Sequence, residues 1–226
     1  MSKLLTAALA VFAAVAPASA DFVTTYTDST NDLFDNGFGN LDIQSVSWTQ
    51  VDTGDGWDLN LSITTRDWAD WTKFMVFLNL PIGGSTNSNP WKRAIDLNGQ
   101  GASVFLGAWA DGGGGNQAWV YDPGASAWSV YPVTFAQSID VATKTLTVRV
   151  GSASYDDVGF SFWFDVATSG GGSNDPGIDH LSRSDMATSG WGSASVAGNF
   201  LQFTVVPAPG AVALLGLAGL VGRRRR

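Results

Sequence analysis

The 226-residue chain contains no cysteine, which excludes disulfides, thiol nucleophiles, zinc ribbons and iron–sulfur clusters together. Glutamate is also absent, and all twenty acidic residues are aspartate. Glutamate is a good helix former, whereas aspartate, serine, glycine and asparagine favour caps and turns, so the bias predicts β structure joined by long polar turns. Histidine occurs once, at His180, leaving a single imidazole for acid–base or metal chemistry. Charged residues make up only 14% of the chain, against about 25% in an average soluble domain. With 45% hydrophobic residues, the chain is too apolar for a disordered protein, so its body is expected to fold.

Long apolar runs are confined to the two ends. The opening MSKLLTAALAVFAAVAPASA places Lys3 before an apolar stretch, Leu4 to Val15, and ends in Ala18-Ser19-Ala20 before Asp21. That order predicts a Sec-type secretory signal peptide over residues 1–20, with Ala18 and Ala20 as the small residues of the cleavage site. The apolar run is shorter than the ~20 residues a bilayer needs. Export without cysteine requires a fold that is stable without covalent staples.

At the other end, VPAPGAVALLGLAGLVGRRRR contains Pro207 and Pro209, an apolar stretch from Ala211 to Gly222, and then Arg223, Arg224, Arg225 and Arg226. Twelve helical residues at about 1.5 Å each reach about 18 Å, short of a ~30 Å hydrocarbon core. The terminal arginines hold this end on the cytoplasmic side. The pattern predicts a short apolar helix, transiently parked in the inner membrane and then cut. This tail resembles the PEP-CTERM sorting signal of Gram-negative bacteria, with Pro207-Ala208-Pro209 where that family usually has Pro-Glu-Pro. The resemblance covers residues 207–226. It implies an exosortase, a membrane transpeptidase-like processing enzyme, as partner, and a destination at the cell-envelope surface or in the extracellular matrix.

Between these segments lies the body, residues 21–206. With Lys3 and the four terminal arginines set aside, seven basic residues face twenty aspartates, a net charge of −13. Nucleic acid and anionic lipid are therefore unsuitable partners. Hydrophobic periodicity is two. In WDLNLSIT, Trp57, Leu59, Leu61 and Ile63 alternate with polar residues, and LDIQSVSWTQV (Leu41 to Val51) precedes it across the Asp52–Gly56 turn, which predicts a hairpin. Ile43 and Val46 are out of phase, which predicts a bulge near Gln44 and Ser45. Phe74 to Leu80 is apolar on both parities and is expected to be a central strand. Further strands are expected over 103–109, 118–122, 128–133, 134–140, 145–150, 159–167 and 199–206. No body window has a clean helical period, so the expected fold is all-β: a single antiparallel β-sandwich, jelly-roll-like, over residues 21–206. The order of strands, with NPWKRAI and FSFWFDVATSGGGSNDPGIDHLS between and after them, resembles exported bacterial sandwiches of the DOMON-like and family 9 carbohydrate-binding-module type. That group implies sugar binding between tryptophans, or haem or calcium binding. Haem would need axial ligands, for which the body offers only His180, Met75 and Met186.

Ten tryptophans make carbohydrate the expected ligand class, because indole faces stack on the apolar CH faces of sugar rings. The site is expected to centre on Trp91 and Arg93, with Trp71 or Trp109 opposite; Trp68 and Trp119 are further candidates. Each tryptophan can equally fill a core, and Trp48, Trp57 and Trp163, lying in strands, are expected to do so. Calcium is the metal suited to aspartate in glycine- and asparagine-rich loops. Asp28, Asp32 and Asp35 are the first candidate ligands, and Asp52, Asp55 and Asp58 the second. Neither set has EF-hand spacing, and turn aspartates often serve local backbone bonds instead. Catalysis finds little support. His180 is expected at the surface, a Ser-His-Asp triad would need an unidentified serine, and Gly112 to Gly115 reads as a turn. These features point to a non-enzymatic, exported surface or matrix protein whose sandwich binds glycan or forms part of a polysaccharide layer. The alternative is a small secreted glycan-active hydrolase using an aspartate pair drawn from Asp156, Asp157, Asp165 and Asp179, of which adjacent Asp156 and Asp157 would point in opposite directions on an extended chain and make a poor pair.

Overall fold

The computed structural model describes residues 21–52, 57–131, 135–153 and 161–206. Residues 21–206 group as one unit, apart from the two chain ends. The signal peptide with Ala18 and Ala20, and the tail with Pro207, Pro209 and Arg223 to Arg226, lie outside the described residues. Among the described residues there is no α-helix, and no helix long and apolar enough to cross a membrane.

The strands are β1 (Phe22–Thr27), β2 (Ile43–Asp52), β3 (Trp57–Thr65), β4 (Lys73–Asn79), β5 (Ile95–Asp96), β6 (Val104–Trp109) and β7 (Gly115–Asp122). They continue with β8 (Ala127–Val130), β9 (Phe135–Asp140), β10 (Thr145–Ala153), β11 (Ser161–Ser169), β12 (Asp179–His180), β13 (Ser195–Val196) and β14 (Leu201–Thr204). A five-stranded antiparallel sheet runs β1-β2-β3-β10-β9. A larger antiparallel sheet runs β12-β11-β4-β6-β7-β8, with β14 also paired to β11, and neither sheet closes into a barrel.

Side-chain alternation explains how the sheets meet. Leu59, Leu61 and Ile63 of β3 are buried, while Asn60, Ser62 and Thr64 are not, as a period of two requires. The register of β2 against β3 passes from Ile43↔Thr65 to Ser45↔Thr64, so Gln44 is the extra residue of the expected bulge. The bulge resets parity, and both Ile43 and Val46 become fully buried. Apolar side chains of both sheets then join one core, centred on Trp48, with Phe162, Phe164 and Phe203 ring centroids 5.4, 5.4 and 5.6 Å away.

Strand β4 lies between β11 and β6, the central position its uninterrupted apolar run implies. Phe74, Val76 and Leu78 face the shared core. Met75 and Phe77 face the other way, into a second core with Phe105, Ala167, Ile95, Leu97, Ala197 and Phe200. Two long connections, residues 80–103 and 170–200, supply those last residues and are joined by the short parallel pair β5–β13. The two-residue strands were not legible as periodicity; β8 is Ala127–Val130, and the end of the expected 128–133 strand lies outside the described residues. Trp163 departs from its expected core role: it is 47% exposed, because Phe162 and Phe164 on either side take the inward positions.

The last described residue is tied back to the first sheet. Gln50 Nε2 donates to the Val206 carbonyl at 2.8 Å, and the Val206 N–H donates to Gln50 Oε1 at 3.0 Å.

Candidate metal centre

The β1–β2 connection is a polar segment whose turns are set by its own side chains. Asp28 Oδ1 accepts the Ser29 N–H at 2.7 Å, and Asp35 Oδ1 accepts the Gly37 N–H at 2.8 Å. Asp42, at the entrance to β2, accepts the Asn31 N–H at 2.9 Å and Arg66 Nε at 2.7 Å, both on Oδ2. Across the molecule, Asp179 of β12 accepts its neighbour His180 N–H on Oδ1 at 2.8 Å and the Ile43 N–H on Oδ2 at 2.6 Å. Asp179 therefore bonds β12 of one sheet to β2 of the other.

These bonds bring aspartates from distant parts of the sequence together. Oxygens of Asp32, Asp42 and Asp179 lie within 4.8 Å of one another, and the charges of Asp32 and Asp42 act on Asp28. Asp42 is 0% and Asp179 2% exposed. Among the described residues, three buried oxygens of the cluster, both of Asp32 and Asp42 Oδ1, and the neighbouring Asp28 Oδ2 have no hydrogen-bond partner. Burial, reinforced by the neighbouring carboxylates, pushes the Asp28 carboxyl up to about 8 and Asp179 well above the usual range. Burial also raises Asp32, against a smaller downward pull from Arg183.

Crowded, desolvated carboxylates with unused lone pairs suit a hard cation. Calcium takes six to eight oxygen ligands at about 2.3–2.6 Å, from carboxylates, carbonyls and water. The cluster offers oxygen donors and no sulfur, and its nearest imbalance is one of negative charge, which a divalent cation would relieve. Asp32, Asp42 and Asp179 are the residues that would hold it, with Asp28 close enough to feel the charges of Asp32 and Asp42. A cleft of about 330 Å³, lined by Asp28, Ser29, Ser182 and Arg183 among others, opens at Asp28.

Of the three aspartates expected from sequence, Asp32 belongs to this cluster, and Asp28 is near enough for the charges of Asp32 and Asp42 to act on it. Asp35 is outside it and caps a turn. Of the second set, Asp58 is salt-bridged to Arg149, while Asp55 and the side chain of Asp52 lie outside the described residues. Sequence reasoning missed Asp42 and Asp179. Asp42 stands directly before a buried strand position in LDIQSV, and Asp179 directly before the only histidine, so both signals were present but had no visible partner.

His180 is not at the surface as expected; it is 0% exposed. Its Nδ1 lies 2.7 Å from Asp165 Oδ2 and its Nε2 lies 3.1 Å from Ser195 Oγ. A carboxylate accepts, so Nδ1 carries the proton and Nε2 faces the hydroxyl. This is the order of groups in a hydrolytic triad. However, Asp165 and Ser195 are also 0% exposed, and a nucleophile must reach its substrate. Asp165 Oδ1 additionally accepts the Val166 and Ser182 N–H groups at 2.9 and 3.0 Å, so the network binds β11, β12 and β13 together. Gly177 packs so closely that a Cβ there would sit 2.5 Å from His180 Nε2 and 2.9 Å from Ser195 Oγ.

Of the expected sugar residues, the structure brings Trp91, Arg93 and Trp109 together and places Trp71 elsewhere. Arg93 is buried, and its guanidinium donates to the carbonyls of Gly170, at 3.2 Å, and Gly172. It remains 5.9 Å from the Trp91 ring but serves the 170–175 loop, so it does not offer a free fork to a ligand. Trp91 packs edge-on against Phe105 at 5.2 Å and Trp109 at 6.1 Å. Its indole N–H and that of Trp119 both donate to Gln117 Oε1, at 3.0 and 3.3 Å. Trp71 belongs to a different aromatic group, with Phe38 at 6.3 Å. Trp68 stacks on Phe74 at 6.0 Å.

Comparison with known proteins gives no family: no protein-family model matches the chain, and no curated protein matches it significantly.

Proposed function

We propose that this chain is an exported cell-surface or matrix protein, processed at both ends, whose two sheets form a jelly-roll-like β-sandwich closed by a calcium ion. The sandwich serves as a glycan-binding or structural module of an extracellular polysaccharide layer. The observation that carries this reading is Asp42: a fully buried carboxylate with an unpartnered oxygen, set among Asp28, Asp32 and Asp179. A protein domain that keeps such a cluster gains most where calcium is abundant, as it is outside the cell. The signal-like N-terminus and the PEP-CTERM-like tail, with an exosortase-like enzyme as processing partner, supply the export route.

Isothermal titration of chelator-treated protein with calcium, and separately with magnesium, tests the reading. One saturable calcium site is expected, with weaker magnesium binding because magnesium demands a tighter octahedron. Absence of calcium binding would remove the reading. Hydrolysis is the second reading, favoured by the Asp165–His180–Ser195 geometry and opposed by the burial of all three side chains.

A further inference from the structure

We propose that Trp163, with Asn79 and Gln202 on either side, is the stacking platform of a neutral-glycan site. The inference rests on the glycan-binding reading above. Trp163 projects from the outward face of β11 and is 47% exposed. Further along that face, Asp165 and Ala167 are fully buried, Ala167 beneath the residues contributed by 80–103 and 170–200. At Trp163 the cover stops.

The ladder fixes what stands beside the indole. Asn79 of β4 is its direct partner on one side and Gln202 of β14 on the other. Directly paired residues hold their Cβ atoms about 4.5–5.5 Å apart on one face, so two carboxamides flank the ring. One pleat on, Ser161 pairs with Thr204 and adds two hydroxyls to the same face. Gln202 Nε2 donates to Ser161 Oγ at 3.2 Å, which limits the freedom of that amide. The Asn79 side chain has no partner among the described residues.

The chemistry selects the ligand class. An exposed indole covers the apolar face of a pyranose, and carboxamides both donate to and accept from neighbouring sugar hydroxyls. None of these five side chains is charged, which suits a neutral sugar and supplies no counter-charge for phosphate, sulfate or uronate groups. Among the described side chains the other exposed indole, Trp71 at 36%, has its edge against Phe38. Trp91 and Trp119 commit their N–H groups to Gln117.

The test is affinity electrophoresis of the full chain, with calcium present, through soluble β-glucan, xylan, mannan and dextran, followed by titration calorimetry with whichever retards it. At least one polysaccharide should slow the wild-type protein. Trp163→Ala should weaken binding about 10-fold or more, by analogy with the loss of a stacked base from an aromatic platform. Trp163→Phe should retain part of it, Asn79→Ala and Gln202→Ala should each reduce it, and Trp71→Ala should bind as wild type. If Trp163→Ala binds as tightly as wild type, the site assignment fails while the glycan reading stands. If no polysaccharide slows the wild type, the glycan reading fails and takes the site with it. If the wild type self-associates in sedimentation velocity and Trp163→Ala abolishes this without any glycan retention, Trp163 is a protein contact and the proposal is overturned.

Discussion

His180 Nδ1 lies 2.7 Å from Asp165 Oδ2 at a point where neither side chain has any exposed surface. Buried pairs of this kind are costly to break one partner at a time, since the remaining group keeps its desolvation cost without its compensation. His180→Ala should lower stability by about 3 to 5 kcal/mol in urea unfolding, and Ser195→Ala by about 1 to 3 kcal/mol by leaving Nε2 unpaired. Turnover of p-nitrophenyl acetate by wild-type protein that disappears in a folded Ser195→Ala variant would instead identify the network as catalytic.

The acidic cluster predicts how stability responds to pH. Burial raises the Asp28 carboxyl to about 8 in the folded protein from its ordinary 3.8. The folded state therefore binds more protons than the unfolded state between those values, and stability falls as pH rises through that window. With chelator present, the melting temperature should be higher at pH 5 than at pH 8. Added calcium should raise the pH 8 value most. A melting curve identical at both pH values in chelator would contradict the linkage.

Substitution separates ligands from turn formers. A ligand at 100 times its dissociation constant adds about 2.7 kcal/mol to stability. Asp42→Asn and Asp179→Asn should lose the calcium-dependent rise in melting temperature. Asp35→Asn should keep it, because Asp35 caps the Gly37 turn outside the cluster. Loss of the calcium response in Asp35→Asn with its retention in Asp42→Asn would reverse the assignment.

Trp91 occupies space that only a glycine leaves free: a Cβ at Gly107 would collide with its indole carbons. Gly107→Ala should cost about 1 to 3 kcal/mol by overpacking. Trp91→Ala should cost about 3 to 5 kcal/mol, in the range of large aromatic truncations. Chemical denaturation measures both, and a Trp91→Ala midpoint equal to wild type would show that the ring is not part of the packing.

Intact-mass spectrometry of envelope-derived protein checks the export reading. The mature chain should begin at Asp21 and lack Arg223 to Arg226. A mass that retains residues 1–20, or the terminal arginines, would refute the corresponding cleavage.

The strands with strong alternation were legible in the sequence, down to the bulge at Gln44, because parity is a local property of consecutive residues. The same holds for β4, whose double-sided apolar run anticipated two covered faces. What could not be read was any feature created by pairing across long separations. Asp42 and Asp179 meet only because β12 and β2 are bonded through Asp179 and the Ile43 N–H. Ser195 reaches His180 only through the β5–β13 contact and the fold of the 182–194 segment. Trp163 was misplaced for a different reason: an aromatic in a strand can occupy either parity, and only the commitment of both neighbours to the core decided it.

The paired amide bonds between Gln50 and Val206 also determine how the body would carry mechanical load. Tension applied at Val206 reaches β11 through the β14 ladder and, at the same time, β2 in the opposite sheet through the Gln50 side chain. A strand held by one ladder alone can be peeled away one residue pair at a time, starting at Thr204 and Ser161. Here the clamp must yield before that peeling begins, so a pull from the tail strains both sheets together and the body resists as a block.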